Sequence, residues 1–490
     1  MSSGLGSQVL SGLRWATLSR VLAQILTWLS TFIVIRLVSP ADFGLAALAA
    51  VFANFLSMMS EMGLAIALVQ KQVRDEETFR RVLGFVVLIG VALCGLLVFA
   101  APLAGQIADD ERVIPLVRLV SLQFIAMAFC VVPDARLSID LRFREIGIVG
   151  VTSSVLAGVV TLVLAWRGMG AYSLVTGTVA ISVFRAVLLN ISCPSIFWPR
   201  FDFGKLREFG RFSGLILLQR TIWYWYMSAD TFIVGRLLGA TQLGIFSLGR
   251  QLTTIPLERA MGVINAVAFP AYSKIKDDLG RTRASYLKAL RLGAIYAFPV
   301  FWGLASVAGP AVYLVVGEKW LPSVPVIQLL CLAMPLRMLN AFTAPAAWSL
   351  DRQDVTIKSL IAAVILIPLA ILIGQRWGVA GAAMGWAVAF PAVYLIDAWL
   401  IKDALELPIE DMFGAIVPPA IAAILMTLVI YLGNRLAMSA FDPWAQLAIN
   451  IPLGIGAYLV ALRLFGRGNM DDALGFIRGM LGWRAKQEPS

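Results

Sequence analysis

The stretch Thr31-Phe32-Ile33-Val34-Ile35-Arg36-Leu37 returns, with one change, as Thr231-Phe232-Ile233-Val234-Gly235-Arg236-Leu237. Shifting the chain on itself by the same 200 residues lays Leu18 on Leu218, Arg20 on Arg220 and Gly44 on Gly244. Both copies lie in apolar segments of spanning length and run in the same direction. They are parallel repeats, of the kind related by an axis along the membrane normal in alternating-access transporters. The duplication predicts an all-α, polytopic membrane protein that transports something between two halves.

Composition agrees: 60% of the 490 residues are hydrophobic and 14% charged, against roughly 25% charged in soluble domains. Windows of roughly 20 residues predict spans from Leu13 to Leu37, Phe43 to Val69, Val82 to Gly105, Ile114 to Val132, Ile146 to Trp166 and Gly170 to Ile191. A second series runs from Phe212 to Leu238, Leu243 to Tyr272, Ala289 to Val316, Val324 to Leu350, Ser359 to Gly374 and Val379 to Ile401. Phe413 to Leu432 and Trp444 to Leu464 bring the total to about fourteen. The first span is too long for a secretory leader and lacks a small-residue cleavage site, so it reads as a retained transmembrane helix.

These spans divide the chain into an N-terminal lobe (1–192), a linker (193–211), a second lobe (212–402), a final helix pair (403–465) and a tail (466–490). No loop is long enough for a separate soluble domain. The linker interleaves Phe197, Trp198, Phe201, Phe203, Leu206 and Phe209 with basic residues, which suits either a segment lying on anionic headgroups or a plain connector.

Alternate loops carry the cations: Lys71, Arg74, Arg80 and Arg81; Arg136, Arg142 and Arg144; Arg200, Lys205, Arg207 and Arg211; Lys274, Lys276, Arg281, Arg283 and Lys288. The intervening loops are poor in them, and one holds Asp109, Asp110 and Glu111. The positive-inside rule therefore puts both termini in the cytoplasm. The net charge of +11 is mostly this topology signal, and the cations form no single stripe of the kind nucleic acid requires.

The chain has no histidine, which excludes imidazole catalysis, His metal sites and His proton relays. It has no GxxxxGK[ST] phosphate loop. Cys94, Cys130, Cys193 and Cys331 lack metal-type spacing and read as apolar fillers. Neither a cofactor nor a metal is expected.

Charge within the spans is costly, roughly 2.5 to 3.5 kcal/mol per Arg or Asp at the bilayer centre, so such residues need a partner or water. Arg20, Gln24, Thr27 and Thr31 recur at three- and four-residue steps and share one helical face. Arg220, Tyr224, Ser228 and Thr231 repeat the pattern, and Asn54, Ser57 and Glu61 share a face of the second span. These stripes predict a polar cavity. Arg20 lies roughly 10 Å inside the predicted cytoplasmic edge, so snorkelling is the competing account.

Arg36 and Arg236 lie near the outer ends of their helices, where anchoring at headgroups or a salt bridge within the repeat explains them more simply. Arg118, Arg250, Arg259 and Arg337 add cations at membrane depth. Excess guanidinium favours an anionic substrate, since its planar fork matches phosphate or carboxylate oxygens. The candidate substrate-binding set is Arg20, Gln24, Thr27, Glu61, Arg220, Tyr224, Arg250 and Arg337. Asp230, Glu258 and Asp397, with Glu61, either bind a coupling proton or sodium ion or neutralise the arginines.

Five strings add a resemblance: Arg36-Leu37-Val38-Ser39-Pro40-Ala41-Asp42-Phe43-Gly44, Phe209-Gly210-Arg211-Phe212, Asp230-Thr231-Phe232-Ile233-Val234-Gly235-Arg236-Leu237-Leu238-Gly239, Phe269-Pro270-Ala271-Tyr272-Ser273 and Gly317-Glu318-Lys319-Trp320. In order and spacing the chain resembles the polysaccharide transport branch of the multidrug/oligosaccharidyl-lipid/polysaccharide flippases, in particular Wzx-type flippases of bacterial exopolysaccharide and O-antigen synthesis. The resemblance covers almost the whole chain. It implies two six-helix lobes related by a pseudo-two-fold axis around a cationic cavity, plus two C-terminal helices.

The resemblance also implies a bacterial inner-membrane protein that moves an undecaprenyl-diphosphate-linked oligosaccharide to the periplasmic leaflet. Arg20 and Arg220 would then grip the diphosphate or acidic sugars, and Trp223, Tyr224, Trp225 and Tyr226 would stack on sugar faces. Membrane lipids, a polysaccharide polymerase and a chain-length regulator are the implied partners.

Competing classes fit less well. A polytopic glycosyltransferase or polymerase would carry a sizeable periplasmic loop, and a multidrug antiporter for cationic drugs would favour a carboxylate-rich cavity. A lipid II flippase shares a cationic cavity and two extra helices, and only the quoted strings favour exopolysaccharide over it.

Overall fold

A computed structural model describes residues 30–60, 64–195, 197–201, 214–438 and 441–466. Residues 30–37 are helical and are labelled α1. Next come α2 (Pro40–Ser60), α3 (Leu64–Gln70), α4 (Glu76–Ala108), α5 (Val113–Ser121), α6 (Gln123–Ile139), α7 (Phe143–Trp166) and α8 (Ala171–Ser192). They are followed by α9 (Gly214–Ser273), α10 (Leu279–Ser306), α11 (Ala308–Val315), α12 (Val324–Asn340), α13 (Thr343–Ser349), α14 (Gln353–Gly374), α15 (Gly378–Leu405), α16 (Ile409–Gly433) and α17 (Pro443–Phe465). Among the described residues 11 helical runs are long and apolar enough to cross a membrane. Three of them, Val113–Ile139, Glu318–Ser349 and Gln353–Leu405, take in more than one helix.

The side-chain pattern of α14 fits lipid as its solvent. Ile357, Ile361, Ile365, Leu369 and Leu372 form an exposed stripe at three- and four-residue spacing, while Val355, Ser359, Ala363, Ile367 and Ile371 are buried opposite it. An exposed apolar row of that length would be an aggregation surface in water. In hydrocarbon it is the expected outer face, because helices satisfy their own backbone there.

Several helices outrun the apolar windows. The fourth begins at Glu76, well before Val82, because Arg80–Glu76 (2.7 Å) and Arg81–Glu77 (2.5 Å) ion pairs support its aqueous turn. Asp75 caps it, its carboxylate accepting the backbone N–H groups of Glu77 (3.2 Å) and Thr78 (3.0 Å). Hydrogen bonding, first to the Thr78 hydroxyl and then to those N–H groups, holds the Asp75 carboxyl below the usual carboxylate range.

The chain divides into two compact units, Met1–Gly244 and Ile245–Ser490. In the first, α4 packs on α5 and α6, α6 on α8, α7 on α8, and α2 on α4, α5 and α8. The leg 214–244 of α9, which opens the second repeat, lies with this unit. In the second, α14 packs on α15, α15 on α12, α10 on α12 and α16, and α16 on α17. The α14–α15 pair approaches to backbone contact: a Cβ on Gly374 would stand 2.1 Å from the Gly381 carbonyl oxygen.

Each repeat breaks its helix at the same place by different chemistry. After α1, Ser39 caps α2, its Oγ accepting the Asp42 N–H (3.2 Å) and donating to Asp42 Oδ2 (2.6 Å), with Pro40 at the first helical position. In the second copy α9 bends at Gly239, whose φ of 81° and ψ of 172° only glycine adopts readily.

Candidate functional site

Arg20, Gln24, Thr27 and Glu61 lie outside the described residues, and so does the Arg220 side chain, although its helix is described. One turn after Arg220, the Tyr224 hydroxyl donates to the Val51 carbonyl of α2, and its ring stands 5.6 Å from Phe55. Trp225 packs on Phe55 (5.7 Å) and stacks on Phe232 (5.0 Å), which in turn meets Phe52 edge-on (5.4 Å). This aromatic seam joins α2 to the first leg of α9. Tyr226 is buried and Trp223 is exposed.

Asp230 is 1% exposed, and its Oδ1 accepts the Thr231 backbone N–H at 2.7 Å. Six residues on, Arg236 reaches the C-terminal end of α4, where it donates to the carbonyls of Gln106 and Ile107 (3.2 Å) and lies 4.0 Å from Asp109. Those carbonyls have no intrahelical partner, and a cation there complements the helix dipole. Arg236 thus anchors one helix end within its own unit.

In the second unit Arg250 is half-buried on α9, whereas Glu258 and Arg259 are exposed. The Arg337 guanidinium lies 5.2 Å over the Trp386 ring, a cation–π contact that offsets part of its desolvation. Asp397 is buried on α15. The carboxylates Asp230 and Asp397 thus fall in different units, each with its own surroundings.

Two polar arrangements escaped the sequence reading. Arg185 of α8 pairs with Asp134 of α6 at 2.8 Å, a contact spanning 51 positions that no local periodicity reveals. Where the linker begins, Arg136 donates to Pro194 O (2.9 Å) and Ser195 Oγ (3.0 Å) and lies over the rings of Phe79 (5.6 Å) and Phe197 (5.8 Å). Trp198 and Phe201 beside it are exposed.

The arrangement offers cations, hydroxyls and buried carboxylates within apolar helices, which suits recognition and movement of a polar solute better than bond-breaking chemistry. A family model described as polysaccharide biosynthesis protein matches residues 33–325. The lipopolysaccharide biosynthesis protein WzxC of Escherichia coli (strain K12) is 26% identical over 386 residues, 78% of this chain and 78% of its own. The succinoglycan biosynthesis transport protein ExoT of Rhizobium meliloti (strain 1021) is 25% identical over 469 residues, 95% and 94% of the two chains. A solved structure of the lipid II flippase MurJ, in its inward closed conformation, superimposes with a TM-score of 0.68 over 93% of this chain and 99% of that one, at 15% identity, which is a likeness of fold. With the matched region covering more than half its length, the chain belongs to the polysaccharide biosynthesis protein family.

Proposed function

We propose that this protein flips an undecaprenyl-diphosphate-linked oligosaccharide repeat unit across the bacterial inner membrane for exopolysaccharide or O-antigen synthesis. In this reading both termini are cytoplasmic, and the sequence lobes 1–192 and 212–402 alternate access to a cationic cavity, with the pair in 403–465 beside them. Arg20, Arg220, Arg250 and Arg337 meet the diphosphate or acidic sugars, and Gln24, Thr27, Glu61 and Tyr224 complete the polar lining. The observation that carries the reading is the repeat-related pair Arg20 and Arg220, one intramembrane arginine at the same place in each copy. The names of the lipopolysaccharide biosynthesis protein WzxC and the succinoglycan biosynthesis transport protein ExoT support the substrate class.

Depleting the protein in its host and weighing the undecaprenyl-diphosphate-linked species that build up tests the proposal. A completed oligosaccharide repeat supports it; accumulated lipid II reassigns the protein to peptidoglycan synthesis; no lipid-linked intermediate overturns flipping altogether. Arg20→Ala and Arg220→Ala should each impair polymer export while inserting normally, and normal export by both removes the pair from the mechanism.

A further inference from the structure

The linker opens as an ordered strap laid along the start of α4. Arg136 of α6 fixes its first residues, donating to the Pro194 carbonyl (2.9 Å) and to Ser195 Oγ (3.0 Å). Farther on, the Arg200 N–H donates to the Arg80 carbonyl (3.1 Å), and the Arg200 guanidinium pairs with Glu77 (3.1 Å). Backbone meets backbone there, since a Cβ on Gly84 would stand 2.3 Å from the Arg200 carbonyl oxygen. The Phe197 ring carries two guanidinium groups, Arg80 at 5.9 Å and Arg136 at 5.8 Å. A plain connector needs no such fixing.

The fixing decides which residues face outward. Trp198 precedes Pro199, which disfavours helix and keeps the chain extended, so successive side chains point to opposite sides. Phe197 and Pro199 are half-buried, whereas Trp198 is 84% exposed and the Arg200 side chain 55%.

The depth of the strap is set by α4. It meets that helix at Arg80 and Gly84, about 6 Å apart along the axis, where Glu76-Glu77-Thr78-Phe79-Arg80-Arg81 gives way to the apolar run from Val82. That change of composition marks the headgroup level, which favours tryptophan for its apolar ring and polar N–H. A surface at this depth meets lipid before any soluble partner. Its charge is positive: residues 71–81 with Arg136 and Arg200 hold six cations against three carboxylates. Glu77 is shared between Arg81 (2.5 Å) and Arg200, and Lys71 and Arg74 in the turn before α4 are exposed.

We propose that this strap is a binding surface for anionic phospholipid, with Trp198 seated between headgroups and Arg200 and Arg74 on their phosphate oxygens. A zwitterionic headgroup would set its own ammonium against the same cations and bind less well. Bound lipid ties the beginning of the linker to the membrane surface. That this is the cytoplasmic leaflet rests on the orientation in the transport reading. Lipid binding does not depend on it, and the test involves neither substrate nor flipping, so the two failures are distinguishable.

Full-length protein, delipidated in dodecyl maltoside, is titrated with phosphatidylglycerol, phosphatidylcholine or inorganic phosphate, and native mass spectrometry follows the tightest-bound lipid. Phosphatidylglycerol should bind several-fold more tightly than phosphatidylcholine, with an affinity that falls as salt rises. Inorganic phosphate, which brings no acyl chain, should not displace it. Trp198→Ala combined with Arg200→Gln should weaken phosphatidylglycerol binding several-fold and leave phosphatidylcholine unchanged. Trp377→Ala, at an exposed tryptophan between α14 and α15, is the control and should bind as the wild type does. Equal phosphatidylglycerol affinity in wild type and double variant, equal binding of the two lipids by the wild type, or full displacement by inorganic phosphate overturns the proposal. If the double variant does not fold, Arg74→Gln takes its place, and an unmoved affinity there overturns it equally.

Discussion

Gly44 and Gly244, 200 residues apart in sequence, make the same contact in opposite directions. A Cβ on Gly44 would stand 1.9 Å from the Ala240 carbonyl oxygen, and one on Gly244 would stand 1.8 Å from that of Pro40. The two copies of one short segment thus cross each other about a local two-fold, the self-complementary arrangement otherwise seen at symmetric dimer interfaces. Backbone-to-backbone approach of this kind needs glycine on both sides and brings Cα–H groups against carbonyl oxygens.

Gly44→Ala and Gly244→Ala should each destabilise the protein by about 1 to 3 kcal/mol through overpacking. Gly95→Ala, at a position on α4 with no atom within 4 Å, is the control and should cost nothing. Melting in detergent separates them, and equal melting of all three refutes the crossing.

The two helix breaks should respond differently to substitution. Gly239→Ala forces a side chain into backbone space kept by glycine and should cost about 1 to 3 kcal/mol. Ser39→Gly removes a cap but keeps the geometry, at a cost of only a few tenths of a kcal/mol. Comparable melting temperatures for both variants would show that the bend at Gly239 is not strained.

At the Asp75 cap the carboxyl is held low in the folded protein, so its contribution is present at neutral pH, above the unfolded carboxylate range. It is lost as pH falls through the folded value. Asp75→Ala should therefore melt below the parent at pH 7, and the gap should close in acid. A gap that persists undiminished at low pH would assign the effect to packing.

Arg236→Ala should lower stability by about 1 kcal/mol by uncovering the last carbonyls of α4, with Arg236→Lys retaining part of the contact. Export should survive in both variants. Abolished export in a stable Arg236→Ala protein would move this residue into the substrate path.

Much of the fold was legible in one dimension. A bilayer makes each span satisfy its own backbone and match the hydrocarbon thickness, so apolar runs and the repeat strings could be read without knowing any neighbour. Helix ends were less legible, because ion pairs such as Arg80–Glu76 extend α4 beyond its apolar run. Of the site, Tyr224, Asp230 and Asp397 were singled out as polar residues at apolar depth. Their surroundings were not: Tyr224 binds a carbonyl of α2, and the groups around Asp397 come from four other helices. The sequence by itself determined which residues enter the membrane and that the chain is duplicated. Only the tertiary structure decided which polar groups meet, because each helix's rotation is set by many weak contacts with helices distant in the chain, Asp134–Arg185 and Gly44–Gly244 among them.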